Sequence, residues 1–234
     1  MLAIAMPTQH FGRSSRVVDI VPNAKVGMEI AEVLLLSGAY RVMLDRPQEI
    51  WPTWKMGIKA PVYCNCRDLL AVPGARKTVV RALADAIEEF FPEAEAIVGV
   101  ASAGVGWAAA VADTLDFPVS YALNEPKSHG LGGRVQGGLP KGLKVVLVDD
   151  LVASGGSLLK AKAAVETECC SEVIGVQSIV NWGFDKMRKN LEGLCFKALT
   201  SYSFIVAEAL LHGLISETDM KRLLDFYTDP SKGF

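Results

Sequence analysis

The stretch KVVLVDDLVASGGSLLKAKAAVE, residues 144–166, decides the fold of this chain. It begins with an apolar run, predicted as a strand over 144–149, of the kind that a sheet covers on both faces. Asp149 and Asp150 stand at the end of that strand. A loop of small residues follows and leads directly into a helix predicted over 156–167. Strand, tight loop and helix in this order predict one unit of a parallel α/β sheet.

The loop between that strand and helix has the composition of an anion-binding turn. Small residues let consecutive backbone N–H groups approach an anion, and a helix start adds partial positive charge. The carboxylates of Asp149 and Asp150 can accept hydrogen bonds from vicinal hydroxyls, at the sheet edge where α/β proteins bind ligands. A ribose 5-phosphate offers both groups, whereas the alternative is a tight turn without a ligand. The loop residues are Ala153, Ser154, Gly155, Gly156 and Ser157.

The same alternation of strands and helices extends through most of the chain. Buried apolar strands that alternate with helices predict right-handed crossovers and a mostly parallel sheet flanked by helices. The last fifty residues predict a short helix, a strand and two further helices. The other predicted elements are helices at 25–38, 76–91 and 104–116, and strands at 61–66, 96–101, 118–123, 172–180 and near 196–201.

Composition limits the possible classes of protein. A chain of 234 residues, half of them hydrophobic, can bury a large core without disulfides. The net charge of −2 argues against a generally basic nucleic-acid binder. Five cysteines without a CxxC pair argue against a cysteine zinc site and favour free thiols in a reducing cytosol. We found no apolar run of membrane-spanning length and no signal-peptide core, so we expect a cytoplasmic protein.

A glycine-rich segment at 121–141 carries a second group of candidate residues. A long polar segment between two buried strands is functional or disordered, and its glycines predict that it moves. Lys127 and His129 lie within it. Closure over a bound ligand would exclude water and bring Lys127 to a negatively charged leaving group. The alternative is a solvated surface loop.

The strand, the two acids and the Ser-Gly-Gly-Ser loop closely resemble the signature of type I phosphoribosyltransferases, which bind 5-phosphoribosyl-1-pyrophosphate (PRPP). Lys-x-His-Gly at 127–130 is similar to the orotate phosphoribosyltransferase family, and the resemblance runs from about residue 50 to 230. It implies that the 153–157 loop and Asp149 and Asp150 bind PRPP. It also implies a homodimer in which Lys127 and His129 act in the partner's site. Mg²⁺ would be held mainly by PRPP oxygens and water, with no metal ligand from the protein.

Further site residues follow from the resemblance. Lys55 would lie near PRPP or the product phosphate, and Ser102 and Ala103 would bind pyrophosphate. The residues implied for the base are Tyr63, Cys64, Ala153 and Trp182. A stacking role suits the aromatic ring of Tyr63, although a packed strand residue is an equally good interpretation.

Two departures from the family concern charge. Leu123, Asn124 and Glu125 replace basic residues that contact PRPP in the family. Trp182 replaces the arginine that binds the orotate carboxylate, and Ala153 replaces a threonine. Either another cation substitutes, with Lys59 and Arg67 as the candidates, or the base is not orotate.

The sequence therefore predicts one phosphoribosyltransferase domain over 1–234. It divides into an arm (1–24), a hood segment (about 45–70), a core (about 75–205) and C-terminal helices (206–234). The favoured function is orotate phosphoribosyl transfer in UMP biosynthesis, with Lys127, His129, Asp149 and Asp150 as catalytic residues. The alternatives are a salvage enzyme for another base, a PRPP-binding regulator and an inactive paralogue. No partners are evident for His10 and His212, which we interpret as ordinary histidines.

Overall fold

The computed structural model describes residues 20–54, 57–126 and 132–228. Its helices and strands follow the predicted order, with ends shifted by one to three residues. The helices are α1 (Ala24–Leu36), α2 (Pro73–Phe90), α3 (Ala103–Leu115), α4 (Gly156–Glu168), α5 (Asp185–Asn190), α6 (Tyr202–Leu211) and α7 (Glu217–Thr228). The strands are β1 (Tyr40–Val42), β2 (Val62–Cys64), β3 (Ala96–Val100), β4 (Val119–Ala122), β5 (Val135–Gln136), β6 (Lys144–Val152), β7 (Glu172–Asn181) and β8 (Phe196–Ser201).

The central sheet has six strands in the order β5-β4-β3-β6-β7-β8. The pairs from β4 to β8 are parallel, and only the short β5 runs antiparallel to its neighbour β4. This confirms the predicted α/β class with a mostly parallel sheet. Because β6 lies inside the sheet and runs parallel to β3 and β7, its carboxyl end lies next to the carboxyl ends of both neighbours.

Helices cover both faces of the sheet, which explains why its strands are apolar without alternation. On β6, Val146 and Val148 belong to the core under α1, α2, α3, α6 and α7. Val145 and Leu147 point the other way, into a second core with Leu158 of α4 and residues of α5. The two cores fix the position of β6, and this also fixes the positions of the residues at its carboxyl end.

Two local predictions need correction. The strand predicted over 144–149 continues to Val152, because Leu151 and Val152 still pair with Val180 and Asn181 of β7. The predicted loop of 121–141 also contains β5, since Val135 and Gln136 pair with β4. Pairing with a neighbouring strand, rather than local sequence preference, extends the regular structure in both places.

A small antiparallel pair of strands stands apart from the main sheet. In it β1 pairs with β2, with Val42 opposite Val62. Short 3₁₀ helices at Gln48–Ile50 and Cys66–Ala71 adjoin these strands. This region overlaps the hood segment of about 45–70, although β1 was not predicted and the proposed domain boundaries stay predictions.

The described helices do not have the features of membrane-spanning helices. None of them combines the length and the apolar character needed to cross a bilayer.

Candidate active site

A cavity of about 500 Å³ opens at the carboxyl ends of β3, β6 and β7 and extends to β2. It collects the described residues that the sequence predicted for the site, with the exception of Gly156. These lining residues are Tyr63, Cys64, Ser102, Ala103, Asp149, Asp150, Ala153, Ser154, Gly155, Ser157 and Trp182. Segments separated by more than a hundred residues in sequence therefore meet at one edge of the sheet.

Three predicted site residues lie outside the described residues. They are Lys55 of the hood segment and Lys127 and His129 of the glycine-rich segment. Their roles stay predictions.

The 153–157 loop ends in a helix start that no side chain caps. Gly155 precedes α4 with φ 75°, a left-handed conformation that glycine adopts without strain, and no side-chain hydrogen bond closes the helix end. The first N–H groups of a helix have no partner within the helix. The amides at Gly156 and Ser157 therefore face the position where an anion would bind.

Residues of α5 support this loop from behind. The Asn190 side chain donates a hydrogen bond to the Ser154 carbonyl oxygen over 2.7 Å. A Cβ placed on Gly155 would lie 3.1 Å from the Leu191 side chain, which would have to move by a few tenths of an ångström. The sequence did not reveal the role of Asn190, because it lies 36 residues from Ser154.

The two acids occupy different environments at the end of β6. Asp149 is buried, whereas Asp150 is partly exposed to the cavity. The Asp150 N–H donates to Asp149 Oδ1 over 2.9 Å, and the Leu151 N–H donates to Asp150 Oδ1 over 2.7 Å. Burial raises the pKa of the Asp150 carboxyl, while the Leu151 N–H and the positive charge of Arg67 act in the opposite direction.

Helix α3 approaches the acids through a glycine. A Cβ on Gly104 would lie 2.3 Å from the Val148 carbonyl oxygen and 3.1 Å from the Asp149 Cα. Both contacts are with backbone, which cannot move aside as a flexible side chain would. Gly104 thus allows the start of α3, with Ser102 and Ala103 beside it, to lie directly against the strand that carries Asp149.

Within the glycine-rich segment, hydrogen bonds join residues 123–124 to Arg134. Leu123 and Arg134 pair through their backbones over 2.9 Å, and the Arg134 guanidinium donates to the Asn124 carbonyl oxygen. Glu125 pairs with Lys160 of α4 over 2.7 Å and with Arg134 over 3.5 Å. These contacts lower the pKa of Glu125, chiefly through the bond to Lys160. The acid that replaces a basic residue of the family therefore anchors the base of the segment.

Asn124 makes a separate contact across the cavity. Its side-chain amide donates to the Ala101 carbonyl oxygen over 2.9 Å. Asn124 and Ala101 both line the cavity, so the start of the glycine-rich segment is fixed to the loop after β3.

The side of the cavity that the sequence predicts for the base is aromatic. Trp54, Trp182 and Phe184 line it. The Trp182 ring is almost fully buried, because it packs edge-on against Trp54 with centroids 5.3 Å apart and against Tyr202 at 5.1 Å. Trp182 therefore forms part of a packed aromatic wall and leaves little ring surface for a ligand.

The two cations that could replace the missing arginine occupy different positions. Arg67 is exposed, lines the cavity and donates to the Asn65 side chain over 2.9 Å. Lys59 does not line the cavity, and its ammonium donates to the backbone carbonyls of Gln48 and Glu49 over 3.3 and 3.2 Å. Of the two candidates, the geometry favours Arg67.

Sequence reasoning missed several lining residues. Trp54, Asn65, Asn124 and Phe184 all line the cavity but had no assigned role in the site. Trp54 and Asn65 flank hood residues that were assigned, so the position of that segment was the signal that could have found them.

Predictions about thiols and histidines have different outcomes. All five cysteines are free, as predicted. The expectation that His212 has no partner is wrong, since its Nε2 lies 3.3 Å from Glu32 Oε1 and 3.2 Å from Glu208 Oε1. Glu208 precedes it by one helical turn, whereas Glu32 comes from the distant α1. His10 lies outside the described residues.

Comparison with known proteins agrees with this geometry. The family model of the phosphoribosyl transferase domain matches residues 66–205. The curated orotate phosphoribosyltransferase of Listeria innocua is 38% identical over 204 residues, which cover 86% of this chain and 95% of that protein.

Two solved structures share the fold. The UMP synthase of Leishmania donovani has a TM-score of 0.71 at 22% identity, with 86% of this chain and 42% of that chain covered. The orotate phosphoribosyltransferase of Aeropyrum pernix has a TM-score of 0.64 at 24% identity, with 76% of this chain and 98% of that chain covered. With the matched domain and the identity to the curated relative, these findings show that the chain belongs to the orotate phosphoribosyltransferase family.

Proposed function

We propose that this protein transfers the 5-phosphoribosyl group of PRPP to orotate, forming orotidine 5′-monophosphate and pyrophosphate in UMP biosynthesis. The observation that carries the proposal is the joint placement of Asp149, Asp150 and the Ala153–Ser157 loop on one cavity. Family membership supplies the choice of reaction. The geometry supplies the binding groups.

The ends of PRPP match different parts of the cavity. The uncapped start of α4 would hold the 5-phosphate through backbone amides, with the hydroxyls of Ser154 and Ser157 beside it. The carboxylates of Asp149 and Asp150 would accept hydrogen bonds from the ribose hydroxyls. Pyrophosphate would lie against Ser102 and Ala103. In this arrangement C1 of the ribose would lie over the floor of the cavity and face the aromatic side.

The reaction breaks the C1–O bond of PRPP and develops negative charge on pyrophosphate. Lys127 and His129 of the glycine-rich segment would stabilise that charge after the segment closes. Within the glycine-rich segment, the hydrogen bonds of Asn124 and Arg134 fix the chain on either side of residues 125–133. This supports closure by the residues between them.

A divalent cation suits this donor set. The cavity floor offers carboxylate and hydroxyl oxygens, which are the hard ligands that Mg²⁺ prefers. Mg²⁺ bound with PRPP would neutralise part of the charge of the leaving group. PRPP oxygens and water would form its coordination shell, and Asp149 and Asp150 would contribute negative charge nearby without coordinating it.

Orotate would lie between the hood and the aromatic wall. Tyr63 and Trp54 present partly exposed rings on the cavity for stacking with a flat base. Arg67 lines the cavity and would pair with the orotate carboxylate. The burial of Trp182 supports a second candidate, a transferase for a base without a carboxylate, because the family's arginine is replaced there by a packed apolar ring.

A substrate panel tests the proposal. Pyrophosphate release should be measured with PRPP, Mg²⁺ and, in turn, orotate, uracil, hypoxanthine and adenine. We expect turnover with orotate and little with the others. Faster turnover with uracil or a purine would select the second candidate.

No turnover with any base, together with thermal stabilisation by PRPP, would instead indicate a PRPP-binding regulator or an inactive paralogue. The Asp149→Asn/Asp150→Asn variant is the control for PRPP-dependent stabilisation.

The homodimer expected from the family has its own test. A Lys127→Ala subunit and an Asp149→Asn/Asp150→Asn subunit should each be inactive alone. If Lys127 serves the partner's site, mixed dimers regain activity in one of their two sites. Confirmed hybrids without activity would assign the segment to its own subunit.

A further inference from the structure

Far from the candidate active site in sequence, three side chains converge on one point between α1 and α6. His212 follows the end of α6, Glu208 lies one turn earlier on that helix, and Glu32 comes from α1. One donor atom of each residue lies within 4.8 Å of the other two. Among the described residues, this is the only such group of histidine, cysteine and carboxylate side chains.

Hydrogen bonds within the group cannot satisfy both of its carboxylates. His212 Nε2 lies 3.2 Å from Glu208 Oε1 and 3.3 Å from Glu32 Oε1. One ring nitrogen carries at most one hydrogen, so it cannot donate a full hydrogen bond to both carboxylates. The two carboxylates also repel each other.

Glu208 adds an independent sign of a missing partner. Only 8% of the residue is exposed, and its second oxygen, Oε2, has no hydrogen-bond partner among the described residues. A buried carboxylate is normally paired with a cation or coordinates a metal ion. The Glu208 carboxylate thus meets the cluster through one oxygen and lacks a partner for the other.

The two imidazole–carboxylate spacings are compatible with a tetrahedral metal ion, and the two carboxylate oxygens lie within 4.8 Å of each other. Bonds of about 2.0–2.2 Å from Zn²⁺ to histidine nitrogen and carboxylate oxygen set neighbouring donors about 3.3–3.5 Å apart. The distances of 3.2 and 3.3 Å from the imidazole to the two carboxylates are close to that value. One nitrogen and two oxygen ligands leave a fourth position for water, and the partly exposed His212 and Glu32 give the ion access from solvent.

We propose that Glu32, Glu208 and His212 form a binding site for a divalent transition-metal ion, Zn²⁺ in particular. The imidazole ligand distinguishes this site from the all-oxygen environment that Mg²⁺ prefers. Bound Zn²⁺ would join α1 to α6. These helices already pack closely near Gly27, where a Cβ would lie 3.3 Å from the Phe204 ring. The site is independent of PRPP chemistry.

Metal-dependent thermal unfolding of the full chain, without a histidine tag and treated with chelator, tests the site. With free Zn²⁺ at about a hundredfold over its dissociation constant, the Tm of the native protein should rise by about 5–10 °C. His212→Ala and Glu208→Gln should lose most of this rise and bind Zn²⁺ at least about tenfold more weakly by calorimetry. Glu29→Gln, an exposed acid on the same helix as Glu32, should keep both.

The quantity compared is the rise that Zn²⁺ produces in each variant, so a lower starting Tm does not affect the test. Because free cysteines also bind Zn²⁺, Co²⁺ is the second probe. Its visible spectrum should lack thiolate charge-transfer absorption in the native protein and disappear in His212→Ala. A thiolate band, no response of the native protein, or an undiminished response in both ligand variants would each overturn the proposal.

Discussion

The two sides of the cavity are built in different ways. On one side, Asp149, Asp150 and the Ala153–Ser157 loop come from one continuous stretch and offer mostly backbone amides and short acids. On the other side, Trp54 and Arg67 come from the hood and Trp182 directly follows β7, and all three line the cavity with large side chains. Backbone recognition tolerates little change, because it depends on the course of the chain. Side-chain recognition can change one residue at a time, and Trp182, which we expect to replace a base-binding arginine of the family, lies on this second side.

The largest expected effect belongs to the continuous stretch. Asp149→Asn/Asp150→Asn removes two charged acceptors for ribose hydroxyls, each worth about 1.5–3 kcal/mol. We expect kcat/KM for PRPP to fall about 10²- to 10⁴-fold in steady-state kinetics. Asp113→Asn, at an exposed position of α3, is the matched control and should retain full activity. A fall of less than tenfold in the double variant would mean that the ribose is held elsewhere.

On the side of the cavity formed by Trp54, Arg67 and Trp182, we expect a substitution to affect one substrate more than the other. Arg67→Gln should raise the KM for orotate about tenfold to a hundredfold, because one charge-assisted pair with the carboxylate is lost. The KM for PRPP should change much less, and uracil should not respond. Lys59→Gln is the matched control, since Lys59 bonds backbone carbonyls away from the cavity. Equal changes in the KM of both substrates, or a larger effect of Lys59→Gln, would contradict this assignment.

What the sequence predicted follows the same division. The order of strands and helices and the acid-loop-helix unit are encoded locally, by apolar runs, glycines and paired acids, and the structure has them. The continuation of β6 to Val152 depends on pairing with β7, and the position of Asn190 behind Ser154 depends on the packing of α5. Local patterns carry no signal for such contacts.

The aromatic wall shows the same limit from the base side. The resemblance aligned Trp182 with a base-binding arginine. Trp182 lines the cavity, and its role in base binding stays a prediction. Its burial against Trp54 and Tyr202 could not be predicted, because the three residues come from separate segments. A motif predicts where a residue lies better than how much of its surface a ligand can reach.

Gly104 tests how closely the PRPP side is packed. Gly104→Ala would place a methyl group 2.3 Å from the Val148 carbonyl oxygen, so the backbone of α3 or β6 must shift. We expect a loss of stability of about 1–3 kcal/mol, measured by denaturant unfolding. The displacement of Asp149 should also lower activity. Gly74→Ala in α2 is the control, because no described residue other than its chain neighbours and its own helix backbone comes within 4 Å of the new Cβ. Stability should there stay unchanged or rise by up to about 1 kcal/mol.

The smallest effect concerns the energetic cost of keeping an acid at the cavity floor. Burial raises the pKa of Asp150, so the folded protein holds this proton more tightly than the unfolded chain does. Ionisation of Asp150 therefore lowers the stability of the fold as the pH rises through the raised pKa. Asp150→Asn cannot ionise, and its side-chain oxygen can still accept the hydrogen bond from the Leu151 N–H. Its Tm should exceed that of the native protein at neutral pH. The difference should shrink as the pH falls through the raised pKa towards the usual value of 3.8.

Thermal unfolding across that pH range, with Asp113→Asn as control, measures this difference. The effect should be modest, because the Leu151 N–H and Arg67 already offset part of the burial cost. A lower Tm for Asp150→Asn at neutral pH, or a gain that does not vary with pH, would show that the carboxylate stabilises the fold. The expected result, a more stable but less active variant, would show that Asp150 is kept at the end of β6 for the ribose at some cost in stability. The aromatic wall on the other side should show no such conflict, since the burial of Trp182 stabilises the fold whichever base is bound.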